Sequence, residues 1–240
     1  MVEAKISVDI FLPVYIDKNM SITDNLLKIK QETDRLGVQL IAVSKTKSVE
    51  EIKEAYDAGQ RAFGENQVQE LVEKQEALPK DIEWHMIGHL QSNKVKYIAP
   101  FITLIHSVDS LKLLKEVNKQ ALKNNRSIDC LLQIYIADED TKFGLDYDEA
   151  IELLRSEELP ELKNIRIVGL MGIATNTDKE KFIREEFYEL KTFFNGIKAS
   201  FFRKEDSFKE ISMGMSSDYK IAIEQGSNMI RLGSTIFGAR

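Results

Sequence analysis

With 240 residues, 43% of them hydrophobic, and a net charge of −6, the sequence has the composition of an ordinary globular protein. Its acidic balance argues against a nucleic-acid partner, for which Lys94 and Lys96 are too few. No apolar run approaches the ~20 residues that span a bilayer, the N-terminus lacks the features of a secretory signal, and the single cysteine, Cys130, excludes an internal disulfide, so a cytoplasmic protein is expected.

In chain order, residues 1–19 read as an N-terminal extension: Lys5 to Ile16 is β-prone and apolar, interrupted by Pro13, with no helical period. A single domain is expected over residues 20–240. Ser21 caps a helix over 21–36, with Asp24 at the acidic position of a capping box, and Gly37 separates it from the apolar run 38–43. A helix near 48–58, a strand at 61–64 and a helix over 66–77 follow, then a strand at 84–87, a short helix near 92–98 and a strand at 102–106. Leu114, Val117 and Ala121 share one face of a helix over 109–124, which leads to the strand 130–136, a helix at 147–155 and the strand 165–170. Asn195-Gly196 is a turn signal, yet Ile183, Phe187, Leu190, Phe194, Ile197 and Phe201 keep a helical period across it, which predicts one helix over 179–202 at a cost of ~1 kcal/mol for the glycine. Strands at 208–212 and 228–232 close the series, with a helix near 217–225 between them. About eight apolar strands alternating with helices predict a parallel sheet covered on both faces, and this length favours a closed (β/α)8 barrel of the TIM type.

In such a barrel the chemistry sits at the C-terminal ends of the strands. Lys45 follows the buried run 40–43, where partial desolvation favours a neutral, nucleophilic amine. Judged by composition alone it is one surface lysine among many, like Lys47 or Lys53. Near the end of the chain, Ser216 and Ser217 are placed to cap a helix and make an anion site. Gly233 and Ser234, leaving the last strand after Arg231, offer a close backbone approach and a hydroxyl. Together these two loops point to a bound phosphate. Met213 and Met215 are placed to flank a flat ring, although methionine is more often core filler. Asn66 and His89 lie in polar loops after strands, His85 is expected to pack, and His106 is expected at the mouth. His85 and His89 have the spacing of a helical zinc pair, but the stretch reads as strand and turn, so no metal is expected.

Eight ordered segments resemble those of the pyridoxal phosphate homeostasis proteins, a family related to the N-terminal barrel domain of alanine racemase that binds pyridoxal 5'-phosphate (PLP). They are Val43-Ser44-Lys45-Thr46, Phe63-Gly64-Glu65-Asn66, Trp84 to Lys94, Ile105 to Ser110, Lys142-Phe143-Gly144, Gly169-Leu170-Met171, Ser212 to Ser216 and Arg231 to Gly238. The resemblance starts at about Met20 and leaves out the extension. It implies Lys45 as the lysine that carries PLP as a Schiff base, with Asn66 beside the ring. It implies Ser216, Gly233 and Ser234 at the phosphate and Arg231 facing the pyridine nitrogen. An arginine there stays protonated and leaves the nitrogen unprotonated, which makes the ring a poorer electron sink. In alanine racemase a second domain supplies a catalytic tyrosine, and the barrel here is expected to use the whole chain. The resemblance therefore implies a carrier or regulator in PLP (vitamin B6) and amino-acid homeostasis without robust turnover, with PLP and small amino acids as partners and a monomer by default. A PLP-dependent racemase or lyase using His89, His106 or Tyr219 as base is the alternative. A PLP-free Schiff-base aldolase is a third reading.

Overall fold

The computed structural model describes residues 21–137 and 143–238. The N-terminal extension expected over residues 1–19, and Lys142 of the fifth motif, lie outside the described residues.

Eight strands run parallel to their neighbours: β1 (Gln39–Val43), β2 (Ala62–Glu65), β3 (Glu83–Met86), β4 (Leu104–Val108), β5 (Ile128–Tyr135), β6 (Ile165–Ile173), β7 (Glu210–Ser212) and β8 (Met229–Leu232). The sheet closes where β1 pairs with β8, from Gln39 opposite Met229 to Ala42 opposite Leu232. The helices are α1 (Ile22–Leu36), α2 (Val49–Asp57), α3 (Val68–Ala77), α4 (Val95–Ile98), α5 (Leu111–Lys123), α6 (Tyr147–Arg155), α7 (Glu180–Phe201), α8 (Tyr219–Glu224) and α9 (Ser234–Phe237). This is the (β/α)8 barrel that the alternation of the sequence predicts.

Local chemistry explains the elements. Ser21 Oγ accepts from the Asp24 N–H at the start of α1, and Gly37, with φ of 66°, ends it. The α7 helix runs unbroken through Gly196, an exposed position. Ile183, Phe187, Leu190, Phe194 and Ile197 are buried along its inner face, so packing of that stripe overrides the local turn preference. Several strand limits shift from expectation, and two of the shifts have a visible cause. The Ile102 N–H closes a turn onto Ile98 O, so β4 begins at Leu104. Phe208 stacks on Phe202 at 4.2 Å and on Phe194 at 5.0 Å, so it packs under α7 before β7 starts at Glu210.

Strand alternation divides the core in two. Leu40, Ala42, Trp84, Met86, Ile105, Ile211, Ile230 and Leu232 join the large core between the sheet and the helices. A smaller cluster of Ile41, Ala62, Leu104, Leu131, Val168, Met171 and Met229 fills the barrel interior. At Gly169 any Cβ would overlap the backbone of Glu210, so a residue without one is required where β6 and β7 meet. Among the described residues no helix is long and apolar enough to cross a membrane.

Candidate functional site

At the C-terminal rim a cavity of about 730 Å³ is lined by Lys45, Asn66, Ser216, Arg231, Gly233 and Ser234. The sequence reading named each of these, and closure of β1 onto β8 brings them together from opposite ends of the chain. Val43, Ile87, Ile173 and Met215 supply apolar wall. Size and lining are those of a site for a small organic ligand.

Met213 requires a correction. It is fully buried in the outer core, while Met215 lines the cavity. Ser212 points into the barrel, and alternation therefore turns its neighbour toward the helices. The capping role expected of Ser216 and Ser217 is also corrected. Asp218 occupies the N-cap of α8 and accepts the Met215 N–H at 2.6 Å, and burial raises its carboxyl pKa. Ser216 Oγ instead accepts the Gly233 N–H at 3.3 Å, which ties the two phosphate-compatible loops to each other.

The short helix α9, which four residues are too few to reveal by period, starts directly after Gly233. Asn25 of α1 donates to Ile236 O at 3.2 Å and Lys47 to Phe237 O at 3.2 Å, so two donors fix its carbonyl end. Its N-terminal turn then presents backbone N–H groups beside the cavity, a favourable position for an anion. Lys47 also lines the cavity, but its ammonium is engaged by Phe237 O and by Glu51 at 3.1 Å.

Arg231 reaches the cavity from the barrel interior. Burial draws its pKa down to about 10, where it still carries its charge at neutral pH. Its Nη1 donates to Ser212 Oγ at 2.6 Å and its Nη2 to Gly172 O at 3.0 Å. Ser212 Oγ lies 3.1 Å from His106 Nδ1, and His106 Nε2 lies 2.8 Å from His85 Nδ1. An arginine only donates, which frees the Ser212 hydroxyl to donate onward. The network then assigns the His106 proton to Nε2 and the His85 proton to Nε2. Burial lowers the pKa of His85 to about 3 and that of His106 well below its usual value, so both rings are neutral. His85 packs as expected. His106 does not face the mouth: it is fully buried inside the barrel, beneath Arg231.

His89 and Tyr219 also lie apart from the cavity lining. His89 pairs with Asp109 at 3.4 Å and packs on Phe143, while Tyr219 OH donates to Glu32 at 3.5 Å on the outer side. Sequence reasoning missed the groups behind Lys45, namely Glu65, Glu70 and Lys74. Its only available signal was Glu65, a charge at the end of an otherwise apolar strand.

Fold and rim together define the class. The family profile described as alanine racemase, N-terminal domain, matches residues 18–240. A pyridoxal phosphate homeostasis protein of Vibrio alginolyticus is 42% identical over 209 residues, covering 85% of this chain and 87% of that protein. One from Aquifex aeolicus (strain VF5) is 37% identical over 221 residues, covering 90% and 95%. The chain belongs to the pyridoxal phosphate homeostasis protein family. PipY of Synechococcus elongatus PCC7942, solved with PLP bound, superposes with a TM-score of 0.79 at 36% identity, over 91% of this chain and 100% of that one. Alanine racemase of Bartonella henselae superposes at 0.66 with 15% identity, over 91% of this chain and 60% of that one, a likeness of fold alone.

Proposed function

We propose that this chain binds PLP in the rim cavity as a Schiff base on Lys45 and acts in intracellular PLP and amino-acid homeostasis. The observation that carries the reading is the convergence of Lys45, Arg231 and the Ser216–Gly233–Ser234 rim on one cavity. The donor set suits the group: an amine for the aldehyde, a cation for the pyridine nitrogen, and hydroxyl and backbone donors for the phosphate. PLP supplies an aldehyde that forms a C=N bond with the lysine amine, the oxygen leaving as water with both amine protons. Membership of the family and the PLP-bound relative PipY support the same cofactor.

Each residue then has a task. Ser216, Gly233 and Ser234 hold the phosphate, Asn66 orients the ring edge, and Arg231, fixed by Ser212 and Gly172, donates to the pyridine nitrogen. Ring protonation is opposed by that fixed cation, and carbanion chemistry is correspondingly disfavoured. Of the bases the racemase or lyase alternative needs, His89, His106 and Tyr219, none lines the cavity. A carrier or regulator is therefore the better-supported reading, in a cytoplasmic monomer that meets small amino acids at the same rim.

Absorbance tests it. Purified protein titrated with PLP is expected to show a visible band that borohydride bleaches, with the added mass on Lys45, and Lys45→Ala is expected to show neither. A band that survives in Lys45→Ala overturns the lysine assignment. Incubation with amino acids in deuterated water is expected to give no more Cα exchange than free PLP, and faster exchange overturns the carrier reading.

A further inference from the structure

Behind the Lys45 turn, on the side away from the cavity, lies a buried charge cluster that the proposed function leaves unused. Lys74, on α3, donates to Ser44 O, Glu65 Oε1 and Glu70 Oε1, each at 2.7 Å. An ammonium has three protons, so every one is committed and Lys74 is no rival amine for an aldehyde. Ser44 Oγ donates to the same Glu65 oxygen at 2.6 Å. On the far side of Lys45, the Thr46 N–H donates to Glu70 Oε1. The residues before and after Lys45 are thus both gripped, and all three grips converge on one cluster.

Thr46 has φ of 65°, a left-handed conformation that a β-branched residue adopts only when its surroundings impose it. The Glu70 carboxylate is the group that holds its N–H there. Glu65 is fully buried with Oε2 lacking a partner among the described residues, and burial raises its pKa. A buried ion pair adds little stability over well-packed apolar side chains. Stability alone therefore gives no reason for one directly behind the lysine.

We propose that Glu65, Glu70 and Lys74 are positioning residues for Lys45, clamping the Ser44–Lys45–Thr46 turn so that the amine is aimed at the cavity before a ligand arrives. The inference deepens the Lys45 reading and rests on it. Its physical content is prepaid orientation: a loosened turn leaves the same amine in the same protein with less chance of meeting the aldehyde in line.

Glu70 is the residue to test, because it is partly exposed and its removal leaves the Lys74–Glu65 pair intact. Wild type, Glu70→Ala, Glu70→Gln and Lys45→Ala are compared at a temperature where each melts cooperatively well above the assay. Three readouts are taken: the fraction of limiting PLP fixed by borohydride, the pH midpoint of the visible band, and amide exchange at Thr46 in PLP-free protein. Glu70→Ala is expected to expose the Thr46 amide, to shift the midpoint and to lower trapping on the order of tenfold. Glu70→Gln keeps a carbonyl that accepts from Thr46 and is expected to restore all three. Wild-type behaviour of Glu70→Ala overturns the clamp, as does failure of Glu70→Gln to rescue. Lys74→Met/Glu65→Leu, which replaces the buried pair by apolar groups, is the second variant: full trapping there also overturns it. Trapped PLP in Lys45→Ala is the separate result that removes the lysine assignment underneath.

Discussion

His85 Nδ1 lies 2.8 Å from His106 Nε2 inside the barrel, with neither ring exposed to solvent. Each ring is neutral in the folded state because burial opposes its charge, and for His106 the neighbouring Arg231 adds to this. The unfolded chain protonates both rings near the ordinary histidine pKa of 6.5, whereas folded His85 resists until about 3. Between those values the unfolded state binds more protons, so stability is full above the upper value and falls as the pH drops through the window. The loss is about 1.4 kcal/mol per pH unit for each histidine. Removing one in His85→Leu is expected to flatten the acid limb of urea midpoints by about one proton. An unchanged slope would mean that the ring is not held neutral.

The Lys74–Glu65 pair predicts strong coupling. Lys74→Met alone strands a carboxylate that is fully buried, and a loss of about 3–5 kcal/mol is expected. Lys74→Met/Glu65→Leu removes both charges and is expected to cost much less than the sum of the single changes. A double-mutant cycle in urea reads this, and additivity counts against a desolvated pair.

Gly88 bears on Asn66. A Cβ at Gly88 would lie 2.7 Å from Asn66 Cα and 2.9 Å from its carbonyl carbon, against backbone that cannot swing aside. Gly88→Ala is expected to displace the loop, costing about 1–3 kcal/mol and weakening PLP binding in the same variant. Thermal melts with and without PLP measure both, and wild-type values in both would show that the loop yields freely.

Arg231→Lys keeps the charge and loses the fork. One ammonium cannot serve both Ser212 Oγ and Gly172 O along the guanidinium directions, so a buried acceptor is left unpaired at a cost of about 1–3 kcal/mol. PLP affinity is expected to fall about tenfold, equivalent to about 1.4 kcal/mol. Unchanged affinity by titration would show that point charge suffices.

Much of this was legible because fully buried parallel strands read as short apolar runs, and eight of them with intervening helices leave few architectures. Lys45, Asn66, Ser216, Gly233 and Ser234 were legible as cavity lining because they follow strands, whereas Arg231 lies within β8 and its place facing a ligand came from the family resemblance. What stayed hidden depends on direction and closure. Met213 is one residue past Ser212, and whether a side chain at a strand end points in or out is set by the barrel, not by the local run. His106 was expected at the mouth because its strand was expected to end there, but β4 runs on to Val108 and leaves the ring in the barrel interior. Lys74 is one lysine on an amphipathic helix, and only the packing of α3 on the sheet brings it to Ser44.

The Ser216–Gly233 bond has a consequence for when the site comes into being. Lys45 sits after the first strand, and the proposed anion cradle is built by the loops after the seventh and eighth. A chain still lacking its last strand on the ribosome has Lys45 but not Gly233 and Ser234, the residues proposed to hold the phosphate. On the proposed reading, retention of the cofactor waits for the finished barrel, in which the two ends of the sheet have met.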